Sequence, residues 1–238
     1  MQIQYLNHSS FLIKIRVNGV LLTVLTDPFN PNIGIPFKKV KADLVTVSHL
    51  HNDHCYLQCI SNLKKPLDLK TEHFYMNGNE EPFIVSKPGD YELKGVRITG
   101  IDSYHDDKKG SFRGHNTIFV IRYKDLSVCH LGDLGHILTD SQIEEIGDVD
   151  VLLVPVGGFY TIDSEQASKV IAQIEPNYVI PMHYKTKWHS KDFDKIDPLS
   201  KFLEVMGQES LEPMDKFNVV KSANEDTELV LLKPLYKK

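Results

Sequence analysis

The stretch that decides this chain runs Asp43-Leu44-Val45-Thr46-Val47-Ser48-His49-Leu50-His51-Asn52-Asp53-His54. Its first half is an apolar, β-branched run of the kind that forms a short buried strand. Its second half sets four potential metal ligands in six residues, directly where that strand ends. Alternate side chains of an extended segment point the same way. His49 and His51 can therefore grip one ion, while the turn that follows carries Asp53 and His54 toward a second. Imidazole and carboxylate together suit zinc, manganese or iron. Without an ion, so dense a polar cluster after an apolar strand would be costly to desolvate.

Working outward, residues 11 to 17 and 20 to 25 are apolar runs separated by Asn18-Gly19, a pair suited to a two-residue hairpin. Asp27-Pro28 breaks the second run, and residues 28 to 41, rich in Pro, Asn and Gly, predict a long loop. Further strands are expected at 82 to 86, 95 to 100, 116 to 123 and 126 to 131. After that the rhythm changes. A strand at 151 to 156 precedes a helix at 164 to 174, capped by Asp163 or Ser164 and closed by Pro176. A strand at 178 to 182 and a helix at 199 to 206 follow. Strands alternating with helices imply helices packed on a sheet. The class is α+β, and no repeat or composition break divides residues 1 to 238 into more than one domain.

The 238 residues are 41% hydrophobic and 25% charged, enough to bury a sizeable core. The 32 acidic residues outweigh 27 basic ones, for a net charge of −5, and the lysines are scattered. A nucleic-acid enzyme normally carries a basic stripe to meet phosphates, so the balance weighs against nucleic acid as a partner and favours a small-molecule substrate. No stretch has the ~18 apolar residues of a membrane span, and the amino terminus lacks the pattern of a secretory signal. The expectation is a cytoplasmic protein with no membrane partner. The three cysteines, Cys55, Cys59 and Cys129, read as free, buried small hydrophobes.

His49, His51, Asp53 and His54 match the HxHxDH signature of the metallo-β-lactamase superfamily, which the chain resembles over essentially its whole length. Ser103-Tyr104-His105-Asp106 is similar to the third motif, Leu131-Gly132-Asp133 to the fourth and Pro181-Met182-His183-Tyr184 to the fifth, all in the family's order. The resemblance implies a four-layer αββα sandwich, two mixed sheets face to face with helices outside. It implies two divalent metal ions, zinc first with manganese or iron as alternatives. His49, His51 and His105 would hold one, Asp53, His54 and His183 the other, and Asp133 would bridge them. A homo-oligomer is also implied. Within the superfamily, Asn7-His8-Ser9-Ser10-Phe11-Leu12-Ile13, Gly132-Asp133-Leu134-Gly135-His136 and Pro155-Val156-Gly157-Gly158 resemble the ascorbate-6-phosphate lactonase-like branch.

The mechanism this implies is hydrolysis by a metal-activated water, with Asp53 both ligating and orienting the nucleophile. His8, placed near the site by the resemblance, could donate to a leaving group or brace a ligand, and His136 shares a Gly-containing loop with Asp133. His115 is a weaker candidate, and His130, inside an apolar strand, reads as a satisfied core group; His73 and His189 rank below these. For substrate, Tyr160 beside Gly157-Gly158, Arg113 and Lys185 are the candidates, the two cations as partners for a phosphate or carboxylate. Phe29, Phe37 and Lys38 in the long loop are further ones. Two other functions compete: a nuclease or phosphodiesterase of nucleic acid, and a non-catalytic metal-binding regulator of the same fold. A flavodiiron-type redox role is disfavoured by the absence of a flavin-binding region.

Overall fold

The Asn18-Gly19 pair closes a tight hairpin, both residues in the left-handed region at φ 48° and 85°, with Val17 opposite Val20. From that hairpin the rest of the first sheet is built. The computed structural model describes residues 1–70, 74–75, 80–222 and 226–236; His73 lies outside them. In chain order the elements are β1 (Gln2–Asn7), β2 (Ser10–Val17), β3 (Val20–Thr26), β4 (Leu44–Thr46), β5 (Phe74–Tyr75), β6 (Phe83–Val85), β7 (Gly89–Leu93), β8 (Val96–Tyr104), β9 (His115–Tyr123), β10 (Leu126–His130), α1 (Asp140–Ile146), β11 (Val151–Pro155), α2 (Ser164–Ile174), β12 (Tyr178–Met182), α3 (Leu199–Val205), β13 (Phe217–Asn218) and β14 (Glu228–Leu229). They form two mixed sheets of seven strands, ordered β13-β1-β2-β3-β4-β6-β5 and β14-β12-β11-β10-β9-β8-β7.

Period-two alternation divides the first sheet cleanly between two apolar cores. Ile3, Tyr5, Phe11, Ile13, Ile15, Leu22, Val24, Leu44, Phe83 and Val85 face the second sheet and join the core between the sheets. Their neighbours Leu6, Leu12, Leu25, Val45 and Ile84 face the other way, into a separate core. The second sheet is buried on both faces, so β9 reads as one apolar run, Ile118-Phe119-Val120-Ile121, with every side chain at 0% exposure. Its outer face is covered by helices. Ala167, Val170, Ile171 and Ile174 form the apolar stripe of α2, whose amino end is a capping box between Asp163 and Gln166. Phe202 and Leu203 of α3 and Ile146 of α1 pack into the same core.

The two mixed sheets face to face are those of the expected sandwich. Among the described residues, the outer face of the first sheet is covered by loop and by short 3-10 turns at Pro31–Ile33, Leu57–Cys59 and Lys191–Phe193. Pro28, Pro31, Pro36 and Pro66 fall through this covering and remove the amide donors a helix would need. Phe29, Ile33, Ile35 and Leu57 still supply its apolar interior. Cys59 lies in that interior and Cys129 in the other core, with burial pushing both thiols up to about 12; half-buried Cys55 is pushed up to about 11 by the same cause. No helix among the described residues is long and apolar enough to cross a membrane.

Phe119 is wholly buried in the core between the sheets. Phe119→Ala is expected to cost about 3–5 kcal/mol of stability, read as a lowered urea midpoint; an unchanged midpoint would contradict this packing.

Candidate metal centre

β1, β3 and β4 run in one direction through the first sheet, and β8, β10 and β12 run in one direction through the second. Each ends in a residue of the site. His8 follows β1, Asp27 follows β3, and the loop after β4 carries His49, His51, Asp53 and His54. His105 follows β8, Asp133 comes just after β10, and His183 follows β12. Several of these positions leave the strand by a left-handed step: φ is 55° at His8, 37° at Asp27 and 54° at His183. Such backbone is uncommon for non-glycine residues, and here it swings each side chain from its strand end into a shared space. His183 N–H donates to the His8 carbonyl at 2.8 Å, tying the two sheets together at that point.

Two groups of ligand-type atoms face the centre, and a third, Asp27 with His49 and His54, overlaps them. His49, His51 and His105 form one, and His8, Asp53, His54 and His183 the other, with the nitrogens and oxygens of each group within 4.8 Å of one another. Asp133, 1% exposed, lies between them. Its Oδ2 is 3.1 Å from His54 Nε2, 3.2 Å from His183 Nε2, 3.3 Å from His105 Nε2 and 3.9 Å from His49 Nε2, so it reaches both groups. Gly132 makes this possible. Its φ is 57°, and a Cβ there would collide with Asn116 Oδ1 and Ser48. Asn116 in turn accepts the Asp133 N–H at 2.9 Å and donates to the Leu131 carbonyl, fixing the turn.

The donor set fits a bound cation. His49 Nε2, His54 Nε2, His183 Nδ1 and Nε2, His105 Nδ1 and Asp133 Oδ1 are all buried and lack hydrogen-bond partners. Buried polar atoms are ordinarily satisfied, and the concentration of exceptions on these His and Asp side chains points to a bound ligand. Burial opposes ionisation of Asp133, but His183, His54 and His105 outweigh it and hold the carboxyl well below its usual range. Asp53 likewise stays ionised against burial, through His54 and His8. Burial pushes His49 well down and His105 to about 4, keeping both rings neutral. Ionised carboxylates and neutral imidazoles are the forms that bind metal; His54 is shifted the other way, since burial is outweighed by Asp133 and Asp53, which hold it well above its usual range.

One buried acid was missed in the sequence, where Asp27 figured only as the residue before Pro28. Its Oδ1 accepts the Ser48 N–H at 2.7 Å, and its Oδ2 accepts from Ser48 Oγ at 2.5 Å and from His54 Nδ1 at 2.9 Å. Ser48 Oγ donates its one hydrogen to Asp27, so it accepts from His49 Nδ1 at 3.0 Å. Asp27 thus fixes two imidazoles, one directly and one through a serine, with Nε2 left free to face the centre. Its local signal was faint: a carboxylate at the end of an apolar strand.

The remaining candidates divide. A cavity of about 400 Å³ opens on the centre and is lined by Asn30, Asn32, Asn52, Asp53, Arg113, Tyr160 and Asp192, among others. Arg113 donates to the Phe159 carbonyl at 2.9 Å and stacks on the Phe159 and Tyr160 rings. Asp106 sets it there, its carboxylate accepting N–H groups of Lys108, Gly110, Phe112 and Arg113. His136 and Lys185 do not line this cavity. His136 Nε2 accepts from Tyr104 N–H and its Nδ1 donates to the Ile137 carbonyl, so neither nitrogen is available to a substrate. Lys185 is turned to Asp194 at 2.6 Å and to the Ser190 carbonyl. Phe29 and Phe37 pack into the outer core. His130 is a satisfied core group, between the Ser9 carbonyl and Gly132 N–H. His115 is exposed and paired with Asp102.

Two tests follow from this geometry. Asp27→Ala should weaken zinc binding by about 10- to 100-fold in competition with a chromophoric chelator; unchanged affinity would remove Asp27 from the account. Burial opposes ionisation of Asp106, but its four N–H donors bring the carboxyl down to about 2, below the ~3.9 of an unfolded chain. Its stabilisation is therefore complete above pH ~4 and lost as pH falls toward 2. Urea titrations should find Asp106→Asn less stable than the parent at neutral pH, with the gap closing in acid; a gap independent of pH would contradict the network.

The pattern described as "Beta-lactamase superfamily domain" matches residues 2–183. The chain is 28% identical to a UPF0173 metal-dependent hydrolase of Archaeoglobus fulgidus over 98% of this chain and 96% of that one. It is 30% identical to another such protein of Methanopyrus kandleri, over 78% of this chain and 85% of that one. A Thermotoga maritima structure, provisionally named a Zn-dependent hydrolase of the metallo-β-lactamase superfamily, superposes with a TM-score of 0.69 at 33% identity, covering 98% of this chain and 99% of that one. With two facing mixed sheets, strand ends converging on a His/Asp centre and this extent of matching, the chain belongs to the β-lactamase superfamily.

Proposed function

We propose that the chain is a binuclear metal-dependent hydrolase acting on a small ester-like substrate, a lactone or a phosphoester, with residues 1 to 238 as one catalytic domain. The observation that carries this reading is Asp133 Oδ2, within 3.9 Å of imidazole nitrogens from both ligand groups. His49, His51 and His105 would hold one ion, Asp53, His54 and His183 the other, and Asp133 both. Zinc suits this donor set first, with manganese or iron as alternatives. Bound divalent ions supply Lewis acidity toward the scissile bond and lower the pKa of water from 15.7 toward ~7.

The chain's own residues do the rest. Asp53, at the cavity wall, orients the nucleophile. Arg113, with guanidinium N–H groups beyond the one given to Phe159, is poised for a carboxylate or phosphate, and its charge lies over the Tyr160 ring. Asn30, Asn32 and Asn52 add neutral hydrogen-bonding groups around the mouth. The relatives named metal-dependent hydrolases support the reaction class, and the resemblance to the lactonase-like branch supports a lactone among the substrates.

A polynucleotide substrate is disfavoured because Arg113 is the only Arg or Lys among the described residues lining the cavity. A regulator that has lost turnover is disfavoured because all seven ligand positions hold ligand-type residues. Protein reconstituted separately with zinc and with manganese should open lactones or cleave small phosphoesters in a metal-dependent way, while Asp133→Ala loses metal and turnover together. Full turnover and normal metal content in Asp133→Ala would overturn the proposal. So would cleavage confined to nucleic acid.

A further inference from the structure

The second ligand group is ambiguous as it stands, because His8 lies as close to it as the residues expected to bind metal. Its Nε2 is 3.3 Å from Asp53 Oδ2, and its ring centroid is 4.2 Å from that of His183. Whether His8 binds an ion or a carboxylate depends on which nitrogen carries its proton, and the neighbours of the ring decide that.

A backbone amide begins the chain of reasoning. Thr186 N–H, which can only donate, points at His189 Nδ1 at 3.0 Å. His189 Nδ1 is therefore an acceptor, and in the neutral ring the proton sits on Nε2. That Nε2 lies 3.1 Å from His8 Nδ1, which must accept it. The His8 proton is then on Nε2, facing Asp53. We propose that His189 is a positioning residue: by fixing the proton on His8 Nε2 it makes His8 a hydrogen-bond donor to Asp53 and removes it from the set of metal ligands. The consequence for Asp53 as a ligand rests on the binuclear reading above.

The relay is built into the fold. The turn bearing His189 is pinned by Ser190 N–H to the Ile33 carbonyl at 2.6 Å, and a Cβ at Gly34, φ 98°, would meet the Trp188 carbonyl at 2.5 Å. Phe193 lies edge-on to the His8 ring at 5.3 Å between centroids. The arrangement is the familiar outer support of a metal ligand with an additional member, since the group that orients Asp53 is itself oriented.

Long-range proton–nitrogen NMR spectra of the full chain, labelled with nitrogen-15 in histidine, test this with and without two equivalents of zinc. The expected result is His8 protonated on Nε2 in both states. His189→Leu should release that tautomer and weaken binding of the second zinc about tenfold. His189→Gln, whose amide can accept from Thr186 and donate to His8, should retain the tautomer and bind zinc within about threefold of the parent. A His8 proton on Nδ1, zinc on His8 Nε2, or a Gln variant as impaired as Leu would overturn the proposal. The parent spectrum decides even if the Leu variant does not fold. Silence on every substrate panel would count against the hydrolase reading and leave the tautomer result standing.

Discussion

Burying the Asp133 carboxylate is the constraint to which the rest of the centre answers. A carboxylate taken out of water carries a penalty of several kcal/mol unless positive charge or donors surround it. Here the surroundings are four imidazole nitrogens from three separate strand ends. Bringing them together requires strands of both sheets to run toward one edge and to end within a few ångströms of each other. It also requires unusual backbone. Left-handed residues at His8, Asp27 and His183 are of the kind that cost on the order of 1–3 kcal/mol each. They persist because the flanking strands are locked into two dry cores, and because Gly132, and Gly157 against the His183 carbonyl, leave room where any side chain would collide.

Around that carboxylate the protein sets imidazoles by the proton on their far side. Asp27 fixes His54 directly and His49 through Ser48. On the other flank, Thr186 and His189 set His8, which reaches Asp53. Both chains start from groups whose hydrogen-bonding sense is fixed, a carboxylate that accepts from the Ser48 amide and a backbone amide that donates, and hand that sense inward. A centre built this way holds its donor atoms ready for a cation before one arrives. On the substrate side the same economy holds, with Asp106 gathering four N–H groups to set the loop that presents Arg113.

Much of this was legible in the sequence because it was written in local patterns. The Asn18-Gly19 turn, the apolar runs of β9 and β10, and the 3.6-residue stripe of α2 each follow from neighbours in the chain. The four ligands after β4 are equally local. His105, Asp133 and His183 became legible only through the resemblance, since nothing near them in sequence says that their strand ends meet. Asp27 and His189 stayed hidden for the same reason. Their meaning lies in contacts with residues 27 and 181 positions away. His136 misled because proximity to Asp133 in sequence does not set which way a ring turns; the Tyr104 amide and the Ile137 carbonyl do. Lys185 misled because its charge is taken by Asp194.

Taken together, the centre is a two-sided ligand set with one buried carboxylate shared across it, opening on a cavity that presents a single guanidinium. The most direct measurement of that claim is anomalous scattering at the zinc edge from crystals of the zinc-loaded protein. Two peaks flanking Asp133 are predicted, one beside His49, His51 and His105 and the other beside Asp53, His54 and His183. A single peak, or a second ion held away from Asp133, would contradict it.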